Sequence, residues 1–197
     1  MIPEKLLVQF GARIDIIQSG DLVFQQEENA QNFYQIKKGQ IRVTTISDSG
    51  KEFIQGIFNP GESFGEPALF ADISYPGNAQ AMTKTELLVI TQANLLKLLA
   101  AFPDYYLVLL KRLSLRLHYK ASISQAISME LSEKRILILI DYLKKKDGKQ
   151  NHEEYKVPHT RQEIADMIGL RVETVIRSIS ALKQKNLIQV KAGKIIR

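Results

Sequence analysis

The sequence predicts an α+β chain in three parts: an N-terminal antiparallel β domain, a long helix and a small C-terminal helical domain. Three observations predict it. Residues 1–102 hold short, partly alternating apolar runs punctuated by glycine; residues 103–131 contain no glycine and, after Pro103, no proline; residues 132–197 break into short amphipathic segments with helix-start signals. At 197 residues, with 45% apolar and 24% charged side chains, the chain has the composition of a globular protein of one large or two small domains.

In the first part, FYQIKKGQIRVTTI (33–46) and KEFIQGIF (51–58) read as strands. Gly20, Gly39, Gly50, Gly61 and Gly65 supply the positive backbone angles that hairpin turns need, and SDSGK (47–51) is the clearest turn. Several short strands at this spacing predict a sandwich or a barrel, with or without a ligand.

In the second part, Leu110, Leu113, Leu117, Lys120, Ser124, Ile127 and Leu131 follow alternating steps of three and four. That is a heptad-like seam on one long helix, polar at two central positions. A seam of this length calls for a partner helix. A second copy in a homodimer is the economical partner, and packing on the chain's own β domain is the alternative.

The third part opens with SEKRILILIDYLKKKDG, a helix with Ser132 as candidate N-cap, lysines in its last turn and Gly148 at its end. A polar connection, 144–156, leads to PHTRQEIADMIGL, where Thr160 and Glu163 have the spacing of a capping box. The net charge of +6 is unevenly spread: residues 1–102 carry −3, residues 103–130 carry +2 and residues 131–197 carry +7. The C-terminal third therefore points to an anionic partner.

From Arg161 to Ser180 the residue sizes follow a steric pattern. Ala165 sits where two helices cross closely, Gly169 suits a left-handed turn between them, and Val175 is the apolar residue of the second helix facing the first. Ile164, Ile168, Leu170, Ile179 and Leu182 complete a compact apolar core. This is the pattern of a DNA-binding helix-turn-helix, and NLIQVKAGKIIR, two short strands around a glycine, adds a wing.

The composition excludes much. With no cysteine there is no disulfide framework, thiolate metal site or cysteine nucleophile, and His118, His152 and His159 are too scattered for a metal cage. No nucleophile–base pairing or phosphate loop points to an enzyme, and neither a cofactor nor a metal is expected. MIPEKLLVQF lacks the basic and apolar regions of a signal peptide, and no run approaches the roughly 18 apolar residues of a membrane span. A cytoplasmic protein without membrane contact is the expectation.

At this point the chain resembles the CRP/FNR family of bacterial transcription regulators. TRQEIADMIGL and VETVIRSISALKQKNLI are similar to its DNA-binding motif, NPGESFGEPALF to its cyclic-nucleotide-type cassette, and FPDYYLVLLKRLSLRL to the start of its dimerisation helix. The motifs cover nearly the whole chain in the family's order. The resemblance implies a jelly-roll-like antiparallel β-roll sensor over 1–102, a dimerisation helix over 103–131 and a winged helix-turn-helix over 132–197. It implies a homodimer on double-stranded DNA at a pseudo-palindromic site, with RNA polymerase a partner where transcription is activated.

Carried over residue by residue, the resemblance places Val172, Glu173, Ile176 and Arg177 against base edges, and Thr160, Arg161, Gln162, Arg171, Thr174 and Lys194 against phosphates. Chemistry supports two of the base readers independently: a carboxylate accepts from cytosine N4, and a guanidinium bonds guanine O6 and N7 in two-pronged fashion. Glu173 and Arg177 are four apart on one face, which equally suits a surface ion pair. Val172 stands where the catabolite branch has arginine, and it matches the V-E-T-x-x-R run of the FNR-like branch.

For the effector pocket the resemblance points to Gly65 and Glu66 in the cassette, and to Lys120 and Ala121 on the long helix. The cassette departs from the family beyond Leu69. Pro76 and Gly77 stand where an arginine and a small hydroxyl residue would grip the cyclic phosphate, and no arginine occurs between Arg42 and Arg112. The expectation is a regulator not controlled by cyclic AMP, its effector unknown, with Gly61, Gly65 and a solvated Glu66 serving the β-roll's turns. The alternative is a cyclic-nucleotide-responsive regulator, or a ligand-binding module, using a modified pocket. The family's iron–sulfur and haem sensors need cysteine, which this chain lacks.

Overall fold

The computed structural model describes residues 1–47, 50, 52–129, 131–150 and 152–197. The chain divides into two compact units, Met1–Leu113 and Ser114–Arg197.

The first unit is built on eight strands: β1 (Arg13–Ile17), β2 (Leu22–Phe24), β3 (Asn32–Lys38), β4 (Ile41–Ile46), β5 (Glu52–Phe58), β6 (Ser63–Phe64), β7 (Asn78–Ala81) and β8 (Thr85–Thr91). They form two four-stranded antiparallel sheets, ordered β1-β8-β3-β6 and β2-β7-β4-β5. Helices α1 (Glu4–Gln9), α2 (Glu66–Ala71) and α3 (Gln92–Ala101) lie in the same unit.

The alternation in the sequence is only partial because β3 and β8 are buried on both faces. Tyr34, Ile36, Leu87 and Val89 point into an aromatic-rich core shared with Phe24, Phe58, Phe64 and Tyr75. Their neighbours Phe33, Leu88 and Ile90 point the other way, into a second cluster with Leu7, Leu95, Leu98 and Leu109. A strand covered on both sides reads as a continuous apolar run rather than as alternation.

Gly39 does not make the hairpin that FYQIKKGQIRVTTI suggests. Strand β3 pairs with β6 and β8, whereas β4 pairs with β5 and β7, so the chain crosses between sheets at this glycine. Its φ is +91°, and a Cβ there would come within 2.6 Å of the Lys84 carbonyl oxygen. The expected hairpin does join β4 to β5, pairing Ile46 with Glu52. Most of the 47–51 turn lies outside the described residues, although the Gly50 amide donates to the Ser47 carbonyl at 2.8 Å.

Helix α4 (Asp104–Ser128) is the predicted long helix, shorter than 103–131 at both ends. The division between the two units falls inside it, since Leu109 packs into the apolar cluster of the first unit while Tyr119 stacks on Tyr142 at 4.1 Å in the second. Leu110 is 54% exposed and Leu117 71% exposed, and Ser124 and Ile127 are exposed as well. Leu113 and Lys120, however, are half-buried, and Leu131 lies beyond the helix. The row that continues outward through Leu110, Leu117 and Ser124 has Leu107, Ser114, Ala121 and Ser128 as its exposed companions.

The second unit continues with α5 (Ser132–Lys146), α6 (Arg161–Ile168), α7 (Val172–Gln184), β9 (Gln189–Lys191) and β10 (Lys194–Ile196). Ser132 is not the N-cap of α5. Leu131 occupies that position without a side-chain cap, and the Ser132 hydroxyl instead meets the Ser178 hydroxyl at 3.0 Å. The three lysines Lys144, Lys145 and Lys146 do fall in the last turn. No single helix among the described residues is long and apolar enough to cross a membrane.

Candidate nucleic-acid interface

The crossing of α6 and α7 has the predicted steric logic. Ala165 and Val175 are fully buried, and Ile164, Ile168, Ile179 and Leu182 surround them, with Leu170 half-buried at the edge. Gly169 caps α6 at φ +67°, and nothing lies within 4 Å of the position a Cβ would take. Backbone conformation, not lack of space, selects glycine here. The Leu170 amide then donates to the Ala165 carbonyl at 3.0 Å and closes the turn.

The capping box of α6 is complete. Glu163 N donates to Thr160 Oγ1 at 3.1 Å, and Thr160 N donates to Glu163 Oε2 at 2.7 Å. Thr160 Oγ1 also donates to that carboxylate at 3.0 Å, so both donors of Thr160 serve the helix terminus. Beside this box His159 is buried, its Nδ1 3.8 Å from Glu163 Oε2, and desolvation draws its pKa below the ordinary histidine range. Gln162 Nε2 is turned along the helix to Asp166 Oδ1 at 2.9 Å.

Helix α7 has two faces. Val175, Ser178, Ile179 and Leu182 are buried, while Glu173, Arg177 and Ile176, which is 50% exposed, face outward. Val172 and Thr174 are half-buried at the start of the helix, and Arg171, its N-cap, is exposed. The described residues show no ion pair between Glu173 and Arg177, so the surface-pair reading of their spacing does not hold in this structure. The helix is anchored to α5 by the Ser132–Ser178 contact and by Lys185 Nζ on Glu133 Oε2 at 2.7 Å.

The wing is the predicted pair of short strands. Lys194, half-buried, pairs directly with Lys191 across a two-residue turn made by Ala192 (φ +46°) and Gly193 (φ +75°). A left-handed conformation costs an L-residue about 1–2 kcal/mol, part of which glycine returns as unfolded-state freedom. Ala192→Gly is therefore expected to stabilise the second unit by about 0.5–1 kcal/mol, read as a rise in the midpoint of thermal denaturation.

The cassette residues lie in the first unit, and Lys120 and Ala121 in the second. Glu66 is not the solvated carboxylate expected from the sequence. It is 0% exposed, and its Oε1 accepts from the hydroxyl of Ser63, three residues earlier in β6, at 2.6 Å. Gly65, at φ +78°, lies against the edges of the rings of Phe24 and Tyr75, which stack at 3.6 Å and 9°. A Cβ on Gly65 would meet each ring at 3.2 Å. A side chain at Gly77 would press within 3.1 Å of the Thr44 carbonyl carbon, so the backbone leaves no place for a hydroxyl residue there. The cassette thus lacks the arginine and the small hydroxyl residue of the family's pattern, and an aromatic stack lies against Gly65. Sequence reasoning missed Tyr75, whose one signal was an aromatic residue just before the Pro-Gly step. Lys120 is half-buried, its ammonium 5.9 Å from the Tyr119 ring and its pKa lowered by burial, and Ala121 is exposed.

Comparison with known proteins agrees with this architecture. The sequence profile for the cyclic nucleotide-binding domain matches residues 16–102, and that for the Crp-like helix-turn-helix domain matches residues 134–197. The cAMP-activated global transcriptional regulator CRP of Haemophilus influenzae is 29% identical, covering 86% of this chain and 76% of its own length. The transcriptional activator FnrA of Stutzerimonas stutzeri is 25% identical, covering 92% of this chain and 74% of its own. The solved structure of the c-di-GMP-responsive regulator CLP of Xanthomonas campestris superposes with a TM-score of 0.70 over 98% of both chains, at 20% identity, a likeness of fold.

Two antiparallel sheets, a long helix and a winged helix-turn-helix define a DNA-binding transcription regulator, not an enzyme. The chain belongs to the CRP/FNR family.

Proposed function

We propose that the protein acts as a cytoplasmic homodimer that reads a pseudo-palindromic DNA site through Val172, Glu173, Ile176 and Arg177, without cyclic AMP. The observation that carries the reading is the outward face of α7, where a carboxylate and a guanidinium without ion-pair partners among the described residues flank an exposed isoleucine, on the unit that holds most of the positive charge. Arg171, Thr174, Gln162 and Lys194 flank that face and supply phosphate contacts; Gln162 does so by releasing Asp166. Thr160 contributes by fixing the end of α6. The exposed row through Leu110 and Leu117 is the seam for the second copy. The Phe24–Tyr75 stack against Gly65 and the missing arginine support independence from cyclic AMP.

Selection of binding sites from random oligonucleotides with the purified protein tests the reading. The expected product is a two-fold symmetric site whose half-sites lie one helical turn apart, about 34–36 Å centre to centre. The expected binding is unchanged by cyclic AMP. An asymmetric site, no enrichment, or a tenfold gain in affinity on adding the nucleotide would overturn the corresponding part.

A further inference from the structure

One side chain joins the first residue of α6 to the tip of the wing. Arg161 Nη2 donates to the Gly193 carbonyl oxygen at 3.1 Å, bridging 32 positions of sequence. The family resemblance gives Arg161 to a DNA phosphate, but in this chain its guanidinium is turned to the protein's own backbone. Packing there desolvates the group and lowers its pKa.

The wing needs such a tie. Its root is held by main-chain bonds: Val157 N to Ile195 O at 2.9 Å, Arg197 N to Tyr155 O at 3.0 Å and Tyr155 N to Arg197 O at 2.7 Å. These stop short of the turn. At the tip, Lys191 and Lys194 stand directly opposite each other, a like-charge pair that weakens a hairpin. Ala192 adds a left-handed backbone that its side chain disfavours. Among the described residues, the side-chain ties from outside the hairpin to Lys191–Lys194 are Arg161 on Gly193 and Glu154 on Lys191 at 3.1 Å. Of the two, the guanidinium grips the turn itself, through a charge-assisted bond to a carbonyl. The carbonyl it fixes belongs to the residue just before Lys194, the wing residue that meets DNA in the reading above.

We propose that Arg161 is a positioning residue for the wing. It clips the Gly193 carbonyl to α6 so that Lys194 is presented to the phosphate backbone, and it does not itself hold a phosphate. The proposal rests on the DNA-interface reading for its consequence, but not for the clip.

The test uses the full chain as wild type, Arg161→Ala, Lys194→Ala and the double variant. Hydrogen exchange at the amides of Ala192, Gly193 and Lys194 reads the clip without DNA. Exchange there should quicken about tenfold in Arg161→Ala, the equivalent of one lost net hydrogen bond. Affinity for the selected site against salt reads the consequence. Each single variant should reduce the salt slope by about 0.9, one phosphate contact, and the double variant should reduce it no further. A slope reduced by about twice that amount in the double variant would show two independent phosphate ligands and overturn the proposal, as would Arg161→Ala binding like wild type. Unchanged exchange at the tip overturns the clip whatever the DNA result. A wild type that binds DNA without salt dependence would instead sink the DNA-interface reading, and the exchange result would still decide the clip.

Discussion

Arg177→Ala should cost the selected DNA site about 1–3 kcal/mol, concentrated on one base pair, while binding to random DNA changes little. Arg177 is exposed on the outer face of α7, and the described residues give it no ion-pair partner, not even Glu173 one turn away. Its five donors are thus available in the planar fork that matches guanine O6 and N7. The helix beneath it is fixed, with Val175 and Leu182 fully buried and Ser178 tied to Ser132, so the fork is presented by a rigid element and little order is gained on binding. Arg177→Lys keeps the charge but loses the bidentate geometry, so it should bind random DNA like the wild type and still lose the base preference. Fluorescence anisotropy on the selected site, on single-base variants of it and on random duplex separates these effects. Equal losses on all three would make Arg177 a phosphate contact and remove it from the base readers.

The DNA-binding unit was the legible part of this chain, for a steric reason. A helix-turn-helix is small, and each of Ala165, Gly169 and Val175 answers to one local demand: a close crossing, a left-handed turn, an inward apolar contact. Such demands act on single residue types at fixed spacing, and a sequence displays them directly. The β domain was legible in class and not in topology. Gly39 announces a positive φ, but nothing local says whether the next strand pairs with the last or crosses to another sheet; β8, lying beside β3, decides that. Glu66 misled for a similar reason. A carboxylate is a solvated group by default, and only the fold brings the Ser63 hydroxyl to 2.6 Å from it in the interior. Ser132 has the residue type of a cap, yet its hydroxyl is used by Ser178, far away in sequence. Arg161 belongs with these. Its type and place suggest a phosphate, and its partner is a backbone carbonyl that only the folded wing supplies.

Phe64→Ala is expected to destabilise the first unit by about 3–5 kcal/mol, the cost of removing a fully buried aromatic ring from a site unable to collapse around the gap. Phe64 is 0% exposed and touches three other rings, with centroids 6.0 Å from Phe24, 5.3 Å from Tyr34 and 5.9 Å from Phe58. Each such ring pair contributes about 0.5–1.5 kcal/mol beyond the area it buries. These rings come from different strands, so no single local shift refills the space. Phe64→Leu keeps most of the volume and should cost about 1–2 kcal/mol, the remainder being lost ring contact. Urea denaturation followed by near-ultraviolet circular dichroism measures both, and a loss below about 1 kcal/mol for the alanine variant would show that the core relaxes instead. The same variant bears on the sensor. Phe24 packs on Phe64 on one side and stacks on Tyr75 against Gly65 on the other, so a cavity at Phe64 loosens the stack beside the cassette. If that stack were all that kept cyclic AMP out, the variant would acquire binding. With no arginine between Arg42 and Arg112 and no room for a hydroxyl residue at Gly77, a phosphodiester would still lack the guanidinium and hydroxyl donors of the family's cassette. Calorimetric titration of Phe64→Ala with the nucleotide should therefore remain flat.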